Sequence, residues 1–135
     1  MLTAVWPDEV TWITSLEDVP PVFRAERAIV FMSVDWSGPE RKGRQRLRQL
    51  IDSSLASGLP PIEFFVVNED KDMLRARFPT SIRCNCTPLG AGAMHWIEHG
   101  RIVASEPSAG SCTLQHLMAQ TAALWRPTAD AEIAR

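Results

Sequence analysis

The stretch from Ala28 to Arg41, AIVFMSVDWSGPER, constrains this chain more than any other feature. Ala28 to Val34 is mostly apolar, contains no internal breaker, and reads as a strand buried on both faces. Such a strand needs a covering layer on each side, so the chain must also supply helices. Ser37-Gly38-Pro39-Glu40 opens the next element, a helix predicted to run to about Ser57. Its apolar positions Leu47, Leu50, Ile51 and Leu55 form one stripe. Ser37 and Glu40 fit the S-x-x-E capping box: Ser37 accepts from a first-turn N–H and Glu40 reaches back to the Ser37 N–H. Gly43 lowers the helix preference by about 1 kcal/mol relative to alanine, which close packing against the sheet would explain.

The other elements follow from the same signals. Val10, Trp12 and Ile13 suit a short first strand, and Ser15 to Asp18 the start of a brief helix that Pro20-Pro21 ends. Ile62 to Val67 is a second buried strand, between Pro60-Pro61 and Asn68-Glu69-Asp70. Asp70 to Phe78 suits a short helix with Met73, Leu74 and Phe78 inward, Arg75 and Arg77 outward. Pro79 to Gly92 is irregular. Ala93 to Glu98 and Arg101 to Ala104 flank His99-Gly100 as a β-hairpin. Ser111 to about Trp125 is the last helix, with Leu114, Leu117, Met118, Thr121 and Leu124 on one side; Pro127 stops it, and residues 127–135 read as a loose tail.

A chain of 135 residues is expected to form one domain and to bury about two-thirds of its unfolded surface without a metal or disulfide staple. The net charge of -2 argues against a general nucleic-acid binder. No apolar run approaches the ~18 residues of a membrane span, and the start of the chain lacks the basic-then-apolar order of a signal peptide. Three cysteines do not make a disulfide framework. The expected location is cytoplasmic.

Trp36-Ser37-Gly38-Pro39-Glu40-Arg41 resembles the active-site turn of thioredoxin, which reads tryptophan, cysteine, glycine, proline, cysteine, lysine. The resemblance covers about residues 28 to 125, and WIEHGRIV resembles the hairpin of that family. It implies an α/β fold, thioredoxin-like, with a mixed central β-sheet flanked by helices on both faces. It also implies lost chemistry. Ser37 and Glu40 stand at the two cysteine positions, and a hydroxyl does not become a nucleophile from the helix field alone. The family's buried carboxylate lies six residues before the first cysteine, a position held here by Phe31. The family's cis-proline falls at Gly92 when counted back from Gly100; Pro88 fits only with an insertion, and the two assignments stay open.

The resulting expectation is a non-catalytic thioredoxin-like domain, a protein-binding or structural module with no cofactor, no metal and no catalytic residue at the altered turn. Its binding surface would use Trp36 and the basic helix residues Arg41, Lys42, Arg44 and Arg48. The alternative is a thiol-disulfide oxidoreductase with a relocated pair, Cys84 and Cys86, although a disulfide across one residue is strained. His95 and His99 read as solvent-exposed hairpin histidines rather than metal ligands, and Cys112 as a small buried residue rather than a ligand. Trp6, Trp12, Trp96 and Trp125 are assigned to core or rim packing.

Overall fold

The computed structural model describes residues 10–33, 38–68, 72–75, 77–78 and 92–126. Its strands are β1 (Val10–Ile13), β2 (Arg27–Ser33), β3 (Glu63–Asn68), β4 (Met94–Glu98) and β5 (Arg101–Glu106). Its α-helices are α1 (Pro20–Arg24), α2 (Gly38–Ala56), α3 (Asp72–Arg75) and α4 (Leu114–Leu124). The strands form one mixed sheet in the order β1-β3-β2-β4-β5. The first three strands are parallel; β4 runs antiparallel to β2, and β5 antiparallel to β4. The two most apolar runs thus lie side by side in the middle, Ile29 beside Phe64 on one flank and Trp96 on the other.

Alternation along the central strands feeds two cores. Ala28, Val30 and Met32 join Phe65, Val67, Val22, Leu74 and Phe78 beneath α1 and α3. Ile29 and Phe31 join Phe64, Val66, Leu47, Leu50, Ile51 and Leu117 beneath α2 and α4. A polar link inside this second core joins β4 to α4: Trp96 Nε1 donates to Thr121 Oγ1 at 3.0 Å, and that hydroxyl donates to the Leu117 carbonyl at 2.8 Å.

Several expectations need correction. Leu55 is 64% exposed and does not share the core. Each helical residue advances by about 100°, so the buried arc through Leu47, Leu50, Ile51 and Ser54 leaves Leu55 off its edge. Met73 is likewise exposed, whereas Leu74 and Phe78 are buried as expected. Pro20-Pro21 does not end a helix but opens α1, where the first N–H groups need no partner. The preceding Leu16–Asp18 is a single 3-10 turn. The last helix starts at Leu114, with Thr113 Oγ1 accepting from the His116 N–H at 3.0 Å, and a separate 3-10 turn at Ala109–Ser111 precedes it. Trp96 and Trp125 are buried, and Trp12 lies at the rim, 36% exposed.

The hairpin forms as expected around His99 and Gly100, both at positive φ (48° and 81°), which suits a two-residue turn between twisted strands. Between Trp96 and Ile97 the register shifts, so that Val103 is an extra residue on β5.

Gly43 meets the expectation of close packing. A Cβ there would lie 2.7 Å from Phe31 Cε1 and 2.9 Å from its Cζ. On the other side, a Cβ on Gly110 of the 3-10 turn would lie 2.6 Å from Lys42 Cβ and 2.8 Å from the Gly43 nitrogen. α2 therefore sits directly on the Phe31 ring, with the turn pressed against its backbone. Gly43→Ala should destabilise the protein by ~1–3 kcal/mol, despite the helix preference of alanine. In a Phe31→Leu background, which lacks the clashing ring atoms, the same change should cost at least ~1 kcal/mol less. Urea unfolding of the four proteins in this cycle measures the coupling; an equal cost in both backgrounds would contradict the contact.

Candidate functional site

The carboxyl end of β2 is where the two layers and the sheet edge converge. Phe31 pairs with Met94 across β2 and β4, and Met94 pairs with Glu106 across β4 and β5. The start of β4, the end of β5 and the start of α2 are therefore neighbours. Gly92 lies just before β4, and its carbonyl accepts from the Ala109 N–H at 2.9 Å. The same carbonyl would be 3.5 Å from a Cβ on Gly43. Gly92, Ala109-Gly110 and Lys42-Gly43 thus close over the Phe31 ring.

Trp36, Ser37, Cys84, Cys86 and Pro88 lie outside the described residues, as do the side chains of Pro39 and Glu40. The capping box, the degenerate turn and the relocated dithiol are accordingly expectations of the sequence. Gly38, Pro39 and Glu40 do begin α2. Gly92 has φ 76°, a left-handed backbone that proline's ring forbids. At the position counted from the hairpin, this backbone cannot be the one a proline would supply.

The basic run on α2 divides in two. Arg41, Lys42 and Arg48 are exposed, and Arg44 is half-buried. Arg46 is turned inward: its Nε donates to the Cys112 carbonyl at 2.7 Å, and its Nη1 to Gln49 Oε1 at 2.9 Å. It ties α2 to the segment that leads into α4.

That segment carries the cluster that sequence reasoning missed. Cys112 is half-buried, not buried, and its thiol donates to Glu106 Oε1 at 3.5 Å. Burial, then the charge and hydrogen bond of Glu106, push this thiol up to about 11, with Arg46 pulling weakly the other way. Cys112 is therefore a protonated thiol at neutral pH and a poor nucleophile. His116, one helical turn on, places Nε2 2.7 Å from Glu106 Oε2. The available signal was Cys112 and His116 four residues apart at a helix start, after an acid that closes a strand.

His95 also needs correction. It is fully buried rather than solvent-exposed, because its strand position pairs with Val30 in the sheet centre. Its Nδ1 lies 2.7 Å from Ser105 Oγ, while Nε2 has no hydrogen-bond partner among the described residues. His99 lies in the exposed turn as expected, so the two histidines do not act as a pair.

The architecture is a thioredoxin-like fold. Thioredoxin f2 of Chlamydomonas reinhardtii superposes with a TM-score of 0.62 at 17% identity, over 87% of this chain and 97% of that one. Oxidised mitochondrial thioredoxin 3 of Saccharomyces cerevisiae gives 0.60 at 15% identity, over 84% and 93%. Thioredoxin of Trypanosoma brucei brucei gives 0.61 at 13% identity, over 90% and 93%. These likenesses are in fold. No protein-family profile and no curated protein matches the sequence.

Burial holds the His95 imidazole neutral, with its pKa lowered to about 4. Between that value and the ~6.5 of an unfolded histidine, the unfolded chain binds a proton that the folded protein does not. The stabilisation is then complete above about pH 6.5 and is lost as pH falls toward 4, by an amount on the order of a few kcal/mol. Urea midpoints measured from pH 7.5 to 4 should decline for the wild type more steeply than for His95→Gln. Parallel profiles would contradict a buried neutral imidazole.

Proposed function

We propose that this chain is a thioredoxin-fold domain that does not exchange disulfides at the usual turn and works by binding. The observation that carries the reading is Phe31. Counted six residues back from Ser37, it takes the position that the resemblance to thioredoxin assigns to a buried carboxylate, and it is an aromatic ring, fully buried and seated against Gly43. A phenyl ring cannot accept or return the proton that thiol chemistry moves. The sequence of the turn agrees, with Ser37 and Glu40 at the two cysteine positions.

The reading assigns a binding role to this end of the sheet. Arg41 and Lys42 are exposed on the first turns of α2, with Arg44 and Arg48 further along. Trp36 precedes them in sequence. A basic helix surface preceded in sequence by a tryptophan suits an acidic protein partner. Nothing interleaves aromatic side chains with the basic residues in the way that single-stranded nucleic acid requires.

Insulin reduction in the presence of dithiothreitol tests the non-redox reading. The protein should give no acceleration over dithiothreitol alone. Acceleration would overturn the reading, and its loss in a Cys84→Ser/Cys86→Ser protein would assign the activity to a relocated dithiol. Acceleration that survives loss of all three cysteines and disappears in Ser37→Ala would instead return the chemistry to the turn.

A further inference from the structure

Glu106, Cys112 and His116 bring a carboxylate, a thiol and an imidazole to one point beside the closed end of the sheet. Their ligand atoms all lie within 4.8 Å of one another. Cys112 Sγ is 3.5 Å from Glu106 Oε1, and His116 Nε2 is 2.7 Å from Glu106 Oε2. The three residues come from two elements, the last residue of β5 and the lead-in and first turn of α4.

We propose that these three residues form a zinc site, with three protein ligands and a fourth coordination position open to solvent. Sulfur, imidazole nitrogen and carboxylate oxygen together suit a borderline-soft divalent ion and are a poor set for magnesium or calcium. Tetrahedral zinc, with bonds of ~2.0–2.3 Å, holds its ligand atoms roughly 3.4–3.6 Å apart. The sulfur–carboxylate separation already fits. His116 Nε2 rests 2.7 Å from the other carboxylate oxygen, Oε2, so the imidazole and carboxylate have to open toward a shared ion, and the His116 side chain, 51% exposed, has solvent to turn into. Glu106 is largely covered while His116 faces solvent, so an ion has an entry path and a site for an external ligand.

The surroundings hold the ligands in place. Arg46 fixes the Cys112 carbonyl, and the Thr113 cap fixes the first turn that carries His116. Arg46 and the start of α4 bring positive charge, which opposes a cation. A thiolate and a carboxylate bring two negative charges directly to the ion, at shorter range. Coordination replaces the Cys112 Sγ–H bond by a metal–sulfur bond and releases the proton to water, with no change of oxidation state. An ion here would lie beside the sheet end that Phe31 seals, and would give that end a reactive or anchoring point unrelated to the turn.

The experiment uses the full chain under reducing, metal-free conditions, titrated with zinc chloride against a chromophoric chelator and, separately, with cobalt chloride. One equivalent should bind, and cobalt should show a sulfur-to-metal charge-transfer band with the visible absorption of a four-coordinate ion. Cys112→Ser should abolish that band, and His116→Gln, an exposed change that leaves the fold intact, should weaken zinc by about tenfold or more. Cys84→Ser/Cys86→Ser should change neither. No binding, or a band that survives Cys112→Ser and disappears with Cys84 and Cys86, would overturn the site. Far-ultraviolet circular dichroism of each variant separates lost ligands from lost fold.

Discussion

The contact between α2 and the sheet at Gly43 is the constraint on which the rest of this structure depends. α2 is the longest helix and covers Ile29, Phe31, Phe64 and Val66 on one face of the sheet. The helix can approach this closely only because no side chain stands at Gly43, and the 3-10 turn can seat itself only because none stands at Gly110. That turn carries the chain from β5 to α4, and it places Cys112 and His116 beside Glu106. The fully buried Phe31 ring is thus the packing element against which α2 seats at this end of the sheet. Buried interiors tolerate added or misplaced volume poorly, so one aromatic side chain sets the position of the helix, the turn and the cluster at once.

A thioredoxin-like architecture gathers a helix start, the beginning of β4 and the end of β5 at one edge, and that convergence persists here. What fills the convergence differs. An apolar ring occupies the interior, Gly92 adopts a backbone that proline cannot, and Glu106, Cys112 and His116 cluster outside it.

Much of this frame was legible from residues. The two buried strands, the helix between them and the hairpin announced themselves through long apolar runs bounded by Gly and Pro. Gly43 signalled its close contact because a glycine inside a helix needs a reason. The failures were at surfaces, where spacing alone does not decide. Leu55 belongs to the apolar stripe by count and falls off it because Ser54 takes the inner position. His95 looked like an exposed hairpin histidine because a polar residue on a strand normally faces water, yet β4 is covered on both faces. The complete cluster was not legible, because Glu106 meets Cys112 and His116 only where β5 ends beside the start of α4. The i, i+4 spacing of Cys112 and His116 marks two of the three residues, and only the fold adds Glu106 to them.

Phe31→Asp tests most directly whether this end of the sheet is a sealed apolar seat or a degenerate copy of a proton-carrying pocket. A carboxylate placed there faces Gly43 and the apolar second core, where burying a charge is costly. Tryptophan fluorescence and circular dichroism through a urea titration would report its stability. The account predicts a protein without a cooperative unfolding transition at neutral pH, or one stabilised only at acid pH where the carboxyl is protonated. A soluble Phe31→Asp protein that unfolds cooperatively at neutral pH, with the wild-type midpoint, would contradict it.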